Sequence, residues 1–228
     1  MTNKHLYYYK NSVKNIISYC LLAFFLAGIG GMSANSLFAK KPFKKSLNLK
    51  KLKEGDIIFQ RTRSEQARAV KIATNSKYTH VGIIFKINKK WVVFEAVQPL
   101  RYVSLRKFIN HGIKRHYIIK RLNKSFYSLS NKQIEHMKKV AYQMKGRDYD
   151  PYFSWDEKRI YCSELVWKLY KRAANVELSK LRKLKNYRLN HPTVRKLMKK
   201  RYGKNIPYNE SVVSPADLLH SKYLNTVY

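Results

Sequence analysis

The chain has 228 residues, of which 45% are apolar, so it is long enough for one domain with a real core and too apolar for a disordered tail. It carries 48 Lys and Arg against 13 Asp and Glu, a net charge of +35 that attracts phosphate, lipopolysaccharide, anionic lipid or nucleic acid but says little about fold. The basic residues are scattered, with no aromatic interleaving and no zinc-finger spacing, so a solvated basic surface is the simpler reading and no specific nucleic-acid partner is expected.

Residues 1–39 read as a secretory signal. Lys4, Lys10 and Lys14 form a basic start without an acid, residues 16–31 are apolar, and the small-residue zone 33–39 offers cleavage after Ala39 or, less well, after Ser36. The alternative is an uncleaved membrane anchor, although the apolar run is shorter than the roughly 20 residues of a spanning helix. Cys20 follows Ser18 and Tyr19 rather than the small residues of a lipoprotein site, so no lipidation is expected. The expected organisation is a signal over 1–39, a basic linker over 40–50 and one domain over 51–228 with a basic C-terminal extension, the whole exported to the periplasm.

Beyond the linker, Glu54-Gly55-Asp56 reads as a turn and Ile57-Ile58-Phe59 as the start of an apolar strand. Ser64 can cap a helix running to about Thr74. Strands follow near 80–87 and 91–97, joined by Asn88-Lys89-Lys90, and short strands at 102–105 and 116–121 complete a small antiparallel sheet. Residues 131–145 are helical, with Ile134, Met137, Val140, Ala141 and Met144 at helix spacing. An aromatic loop spans 148–159, and a helix starts near Cys162 and reaches about Ala173. The C-terminal third reads as basic and mostly helical, with Ser214-Pro215 opening a last short helix.

Cys162 is the one cysteine outside the signal. In an oxidising compartment a lone thiol has no disulfide partner, so it is either an inert buried residue or a reactive one. Its place at a loop–helix junction offers unpaired N–H groups and the positive dipole end, which favour a thiolate and can hold an oxyanion. His80 opens an apolar strand, and Glu95 is a charge inside another. A two-residue loop at Asn88-Lys89 makes Glu95 the diagonal neighbour of His80 on one face; a three-residue loop puts them on opposite faces. Ser163 and Ser154 lack a nucleophile-elbow context, Glu135-His136 lacks a second His, and no metal-ligand cluster is evident, so neither metal nor cofactor is expected. His111, His116, His136, His191 and His220 read as surface or loop residues, and Glu164 as a complement to the dipole of its helix or a partner for a basic group.

The segments Gly55-Asp56-Ile57-Ile58-Phe59-Gln60, Tyr78-Thr79-His80-Val81-Gly82, Phe94-Glu95-Ala96-Val97 and Tyr161-Cys162-Ser163-Glu164-Leu165-Val166-Trp167-Lys168, with the later Arg201–Pro207 and Val212-Val213-Ser214-Pro215, resemble the YiiX/YebB-like family. That family is a circularly permuted branch of the NlpC-type papain-fold cysteine hydrolases, related to lecithin retinol acyltransferase-like proteins. The resemblance implies an α+β, permuted papain-like fold: a small antiparallel sheet or barrel against helices, one bearing the nucleophile. It also implies the chain order His80, Glu95, Cys162, with Cys162 as nucleophile, His80 as base and Glu95 orienting the ring. Helix-start N–H groups near Cys162 and Ser163, or a phenol from Tyr161 or Tyr149, are the oxyanion and substrate candidates; either tyrosine can equally be packing. Related families point to a peptidoglycan stem peptide or a lipid-like N-acyl amide or ester. The competing reading is a non-catalytic binder of anionic envelope polymers or nucleic acid, in which the cationic surface does the work.

Overall fold

The computed structural model describes residues 47–228. The expected signal and most of the expected linker lie outside the described residues. Leu47 packs on the core, and Asn48 caps a short 3-10 turn over Leu49–Lys51.

The fold is α+β. Its centre is a six-stranded antiparallel sheet in the order β10-β5-β1-β2-β3-β4. These strands are β1 (Ile57–Gln60), β2 (His80–Ile87), β3 (Lys90–Glu95), β4 (Arg101–Ser104), β5 (Tyr117–Leu122) and β10 (Leu224–Thr226). Helix α1 (Glu65–Thr74) connects β1 to β2, and α2 (Leu105–His111) follows β4. After β5 come α3 (Asn131–Met144), a small parallel pair β6 (Asp148–Tyr149) and β7 (Arg159–Ile160), and α4 (Cys162–Ala174). A second small pair, β8 (Arg182–Lys183) with β9 (Ser211–Val212), brackets α5 (Pro192–Tyr202), and α6 (Pro215–Leu219) precedes β10.

Both faces of the sheet are covered, which is why β1 and β2 read as unbroken apolar runs rather than alternating ones. Ile57, Phe59, Val81, Ile83, Phe85 and Phe94 face one core, where Met137, Val140, Met144, Leu165, Val166 and Leu169 of α3 and α4 meet them. Ile58, Ile84, Val93 and Ile119 face the other, closed by Leu105, Phe108 and Ile109 of α2. The sheet is thereby sandwiched between the helix that carries the thiol and a short helix of its own making.

The β2–β3 turn sets the register that matters. Asn88 and Lys89 both take positive φ, 48° and 62°. That is the twist-matched two-residue hairpin turn, and Ile87 pairs with Lys90 as the shorter loop requires. Gly82 then stands opposite Glu95, which leaves His80 and Glu95 diagonal on one face. Gly82 also has to be small. A Cβ there would lie 2.5 Å from Val93 Cγ1 and 2.9 Å from the Phe94 carbonyl oxygen.

One expectation needs correction. The C-terminal third is less helical than its composition indicates. Beyond α4 the regular helices are α5 and α6, and Leu184, Val194, Leu197 and Met198 pack against Ala69 of α1 in a small separate core. The strand and turn residues between them are held by β8–β9 pairing rather than by helical periodicity. Residues 105–111, which follow a short strand directly, form α2: Ser104 Oγ accepts from Lys107 N at 3.2 Å, so the last strand residue is also a helix cap.

Candidate active site

Helix α4 places Cys162 at its first position. Among the described residues no side chain caps the first N–H groups of the helix, and Leu165 N donates to Tyr161 O at 2.9 Å. The N–H groups of Cys162 and Ser163 therefore have no intrahelical acceptor. Cys162 is a free thiol and 5% exposed. The turn before it is fixed from inside: Ser163 Oγ donates to Val213 O at 2.8 Å, and Tyr161 Oη accepts from Val213 N at 3.1 Å. Those two side chains tie the helix start to the 211–214 segment. The Ser163 hydroxyl gives its proton to backbone, whereas the Tyr161 phenol accepts from backbone and keeps its own O–H.

His80 opens β2 and is buried, its ring stacked on Phe108 with centroids 5.5 Å apart. Nε2 lies 2.7 Å from Glu95 Oε2. Cys162 borders the same cleft as this pair. With Nε2 taken by the carboxylate, Nδ1 is the ring nitrogen left for another partner. Burial alone would depress the imidazole pKa. Cys162 and Glu95 outweigh it and raise the pKa from 6.5 to about 10. Glu95 is 2% exposed. Burial would raise its carboxyl, but the His80 hydrogen bond and the charges of His80, Arg101 and His111 hold it below the usual carboxylate range. Arg101 Nε stands 3.7 Å from its other oxygen.

These groups border one cleft of about 270 Å³, walled by Gln60, His80, Glu95, His111, Tyr149 and Cys162 among others. Tyr149 belongs to it by a chain of contacts. Its N–H donates to Gln98 Oε1 at 2.7 Å, which fixes the backbone. Gln66 Nε2 donates to its phenol oxygen at 2.5 Å, and Arg201 Nη2 donates to Gln66 Oε1 at 2.6 Å. Because Arg201 can only donate, the Gln66 amide has one workable orientation, and Tyr149 keeps its own O–H to give elsewhere. Burial, and then the charge at Cys162, push that phenol far above the ordinary tyrosine range, so it stays protonated.

A second cavity of about 90 Å³ meets the first at Cys162, Gln66 and Thr79. Its walls are almost wholly apolar, including Ala69, Val70 and Ala73 of α1 and Val194, Leu197 and Met198 of α5.

Sequence reasoning did not single out Gln60, Gln66, Gln98, Arg201 or Phe108. Gln60 had a visible signal, a polar residue closing the apolar run Ile57-Ile58-Phe59. His111, expected on the surface, is exposed but borders the cleft and bears on Glu95. Glu164 is fully buried and pairs with Lys168 at 2.7 Å while accepting from Tyr161 N at 3.2 Å; burial lifts its pKa to about 8. Among the described residues no group of His, Cys, Asp and Glu side chains is disposed to hold a metal ion.

Comparison with known proteins follows the same residues. A family model described as permuted papain-like amidase enzyme, YaeF/YiiX, C92 family, matches residues 51–228. The uncharacterised protein YiiX of Escherichia coli strain K12 is 43% identical over 173 residues, which cover 76% of this chain and 84% of that one. A crystal structure titled as the metalloprotein YiiX of Escherichia coli O157:H7 superposes with a TM-score of 0.75 at 42% identity, over 78% of this chain and 97% of that one.

Proposed function

This chain belongs to the family of permuted papain-like amidases, and from that premise we propose that it is an exported cysteine hydrolase working through a thiolester on Cys162. The sulfur attacks an amide or ester carbonyl, and a C–S bond forms. His80 takes the thiol proton and passes it to the departing amine or alcohol as the C–N or C–O bond breaks. Water then attacks the thiolester; His80 takes its proton and returns it to sulfur, and the free acid leaves. Glu95 keeps the ring turned with Nδ1 toward sulfur and balances the imidazolium. The N–H groups at the start of α4 and the Tyr149 O–H are the donors for the oxyanion.

The observation that carries this reading is His80, hydrogen-bonded to Glu95 and sharing one cleft with Cys162. The apolar cavity that ends at Cys162 favours an N-acyl or O-acyl substrate with its hydrocarbon part between α1 and α5, over a peptide on both sides of the bond.

The test is to incubate the protein with acylated amino acids, muropeptides and phospholipids and to follow the products and Cys162 itself by mass. Release of a free acid, with a transient acyl mass on Cys162 that is lost in Cys162→Ser, is the expected result. An unmodified thiol and no product across the panel, with salt-sensitive polyanion binding instead, would make the cationic surface the working part.

A further inference from the structure

Beside the thiol cleft lies a wider one of about 600 Å³. The two share Thr62, Arg63, Ser64, Ala67 and Thr79, so they open into each other. The wider cleft is walled by five cations, Arg61, Arg63, Arg68, Lys71 and Lys77. Among the described residues none of the five pairs with a carboxylate. Glu65 is the one acid on the wall. It is turned to Lys200 at 2.8 Å, and that hydrogen bond and charge hold its carboxyl below the usual range.

The backbone adds donors to the same place. Ser64 Oγ caps α1 by accepting from Ala67 N at 2.9 Å, which leaves the N–H groups of Glu65 and Gln66 without an intrahelical acceptor. Three of the cations are arginines, whose forked N–H donors fit phosphate oxygens in pairs. Helix α1 is therefore a partition. Ala69, Val70 and Ala73 face the apolar cavity, Arg68 and Lys71 face the cationic cleft, and the first turn borders the thiol cleft between them.

We propose that the cationic cleft is a subsite for a phosphate group carried by the substrate, so that the preferred substrate is an acyl compound with an anionic head near the bond to be cleaved. The inference rests on Cys162 being the nucleophile for its catalytic consequence, but the subsite itself does not require that. The acyl chain lies in the apolar cavity on one side of α1 and the phosphate in the cationic cleft on the other, with the carbonyl at Cys162.

The experiment uses the full chain and has two arms. In the first, decyl phosphate and decanol, neither of which holds a bond the thiol can cleave, are compared as protectors of Cys162 against alkylation and as ligands by calorimetry. In the second, turnover is compared for a matched pair, an N-acyl phosphoethanolamine and the same N-acyl ethanolamine without phosphate. The phosphorylated member of each pair should be favoured about tenfold or more, the scale of charge-assisted hydrogen bonds. The preference should vanish in Arg61→Ala/Arg68→Ala/Lys71→Ala, whose residues line only the wider cleft, while turnover of the neutral substrate stays as in the wild type. Inorganic phosphate that competes with decyl phosphate but not with decanol would locate the recognition in the phosphate itself. Phosphate binding that survives the triple substitution, or equal handling of each pair by the wild-type protein, overturns the subsite. If no substrate turns over but decyl phosphate still binds through these residues, the subsite stands and the nucleophile assignment fails.

Discussion

Replacing Glu95 by Gln isolates the charge that holds His80. The two side chains meet at 2.7 Å between Nε2 and Oε2. At an effective dielectric near 20, a charge pair at that separation is worth ~6 kcal/mol, equivalent to about four pKa units. Burial opposes it, and the net result in the intact site is an imidazole pKa raised from 6.5 to about 10. Gln keeps the shape and one hydrogen bond but removes the charge, so in Glu95→Gln the ring should titrate lower than in the wild type, while the upward pull of Cys162 remains. The sign for stability follows. His80 has its pKa raised on folding, so its contribution is fully present below pH 6.5 and is lost as pH rises through about 10. Glu95, whose pKa is depressed, contributes above its ordinary value of 4.5 and loses that contribution as pH falls. Urea unfolding of wild type should therefore weaken between pH 6.5 and 10, and Glu95→Gln should flatten that slope. Imidazole NMR shifts read the titration directly. A His80 ring that titrates at the same pH in both proteins, with the same stability profile, would refute the coupling.

Other consequences follow from the same contacts. Tyr149→Phe removes a donor kept protonated in the cleft, so kcat should fall by roughly 10²-fold with KM nearly unchanged, as measured with any substrate that the panel identifies; Gln66→Leu should move kcat the same way, less strongly, because it frees the phenol rather than deleting it. Gly82→Val drives a side chain into Val93 and the Phe94 carbonyl, which should cost ~1–3 kcal/mol in urea denaturation and lower activity by shifting β2 against β3 under His80. Lys168 is 4% exposed and meets buried Glu164 at 2.7 Å and Glu157 at 3.0 Å; with the Glu164 pKa lifted to about 8, Lys168→Met should cost ~1–3 kcal/mol in urea denaturation near pH 7, where a protonated carboxyl loses a partner, and more above pH 8, where a buried carboxylate is left unpaired, and a cost that does not grow with pH would refute this.

The parts of the site that were legible in the sequence are those with a local cause. Asn88 at the first position of a short loop announces a tight turn, and the tight turn fixes which face Glu95 occupies. Ser64 announces a cap, and α1 begins at Glu65 with Ser64 accepting from Ala67 N. Cys162 at a loop–helix boundary announces open N–H groups. In each case the residue's neighbours within a few positions decide its geometry, so a linear reading can reach it.

What was not legible depends on closure across long separations. The Gln66 amide is oriented by Arg201, 135 residues away, and bonds Tyr149, 83 residues away. Nothing near Gln66 in the sequence distinguishes it from an exposed helix residue, and Arg201 sits in a run of bases, Lys199-Lys200-Arg201, that reads as solvated charge. The packing of α5 on α1 separates the members of that run: Lys200 goes to Glu65 at 2.8 Å, while Arg201 turns inward to Gln66 at 2.6 Å. The basic C-terminal segment is thus two things at once, a charged exterior and one arm of the thiol cleft. Composition sees only the first, because charge counts do not say which guanidinium a helix face will point toward the core. The same closure built the apolar cavity. Val194, Leu197 and Met198 sit at helical spacing in a segment that is otherwise basic, and only when α5 lies against Ala69 and Ala73 does that stripe become a wall beside Cys162.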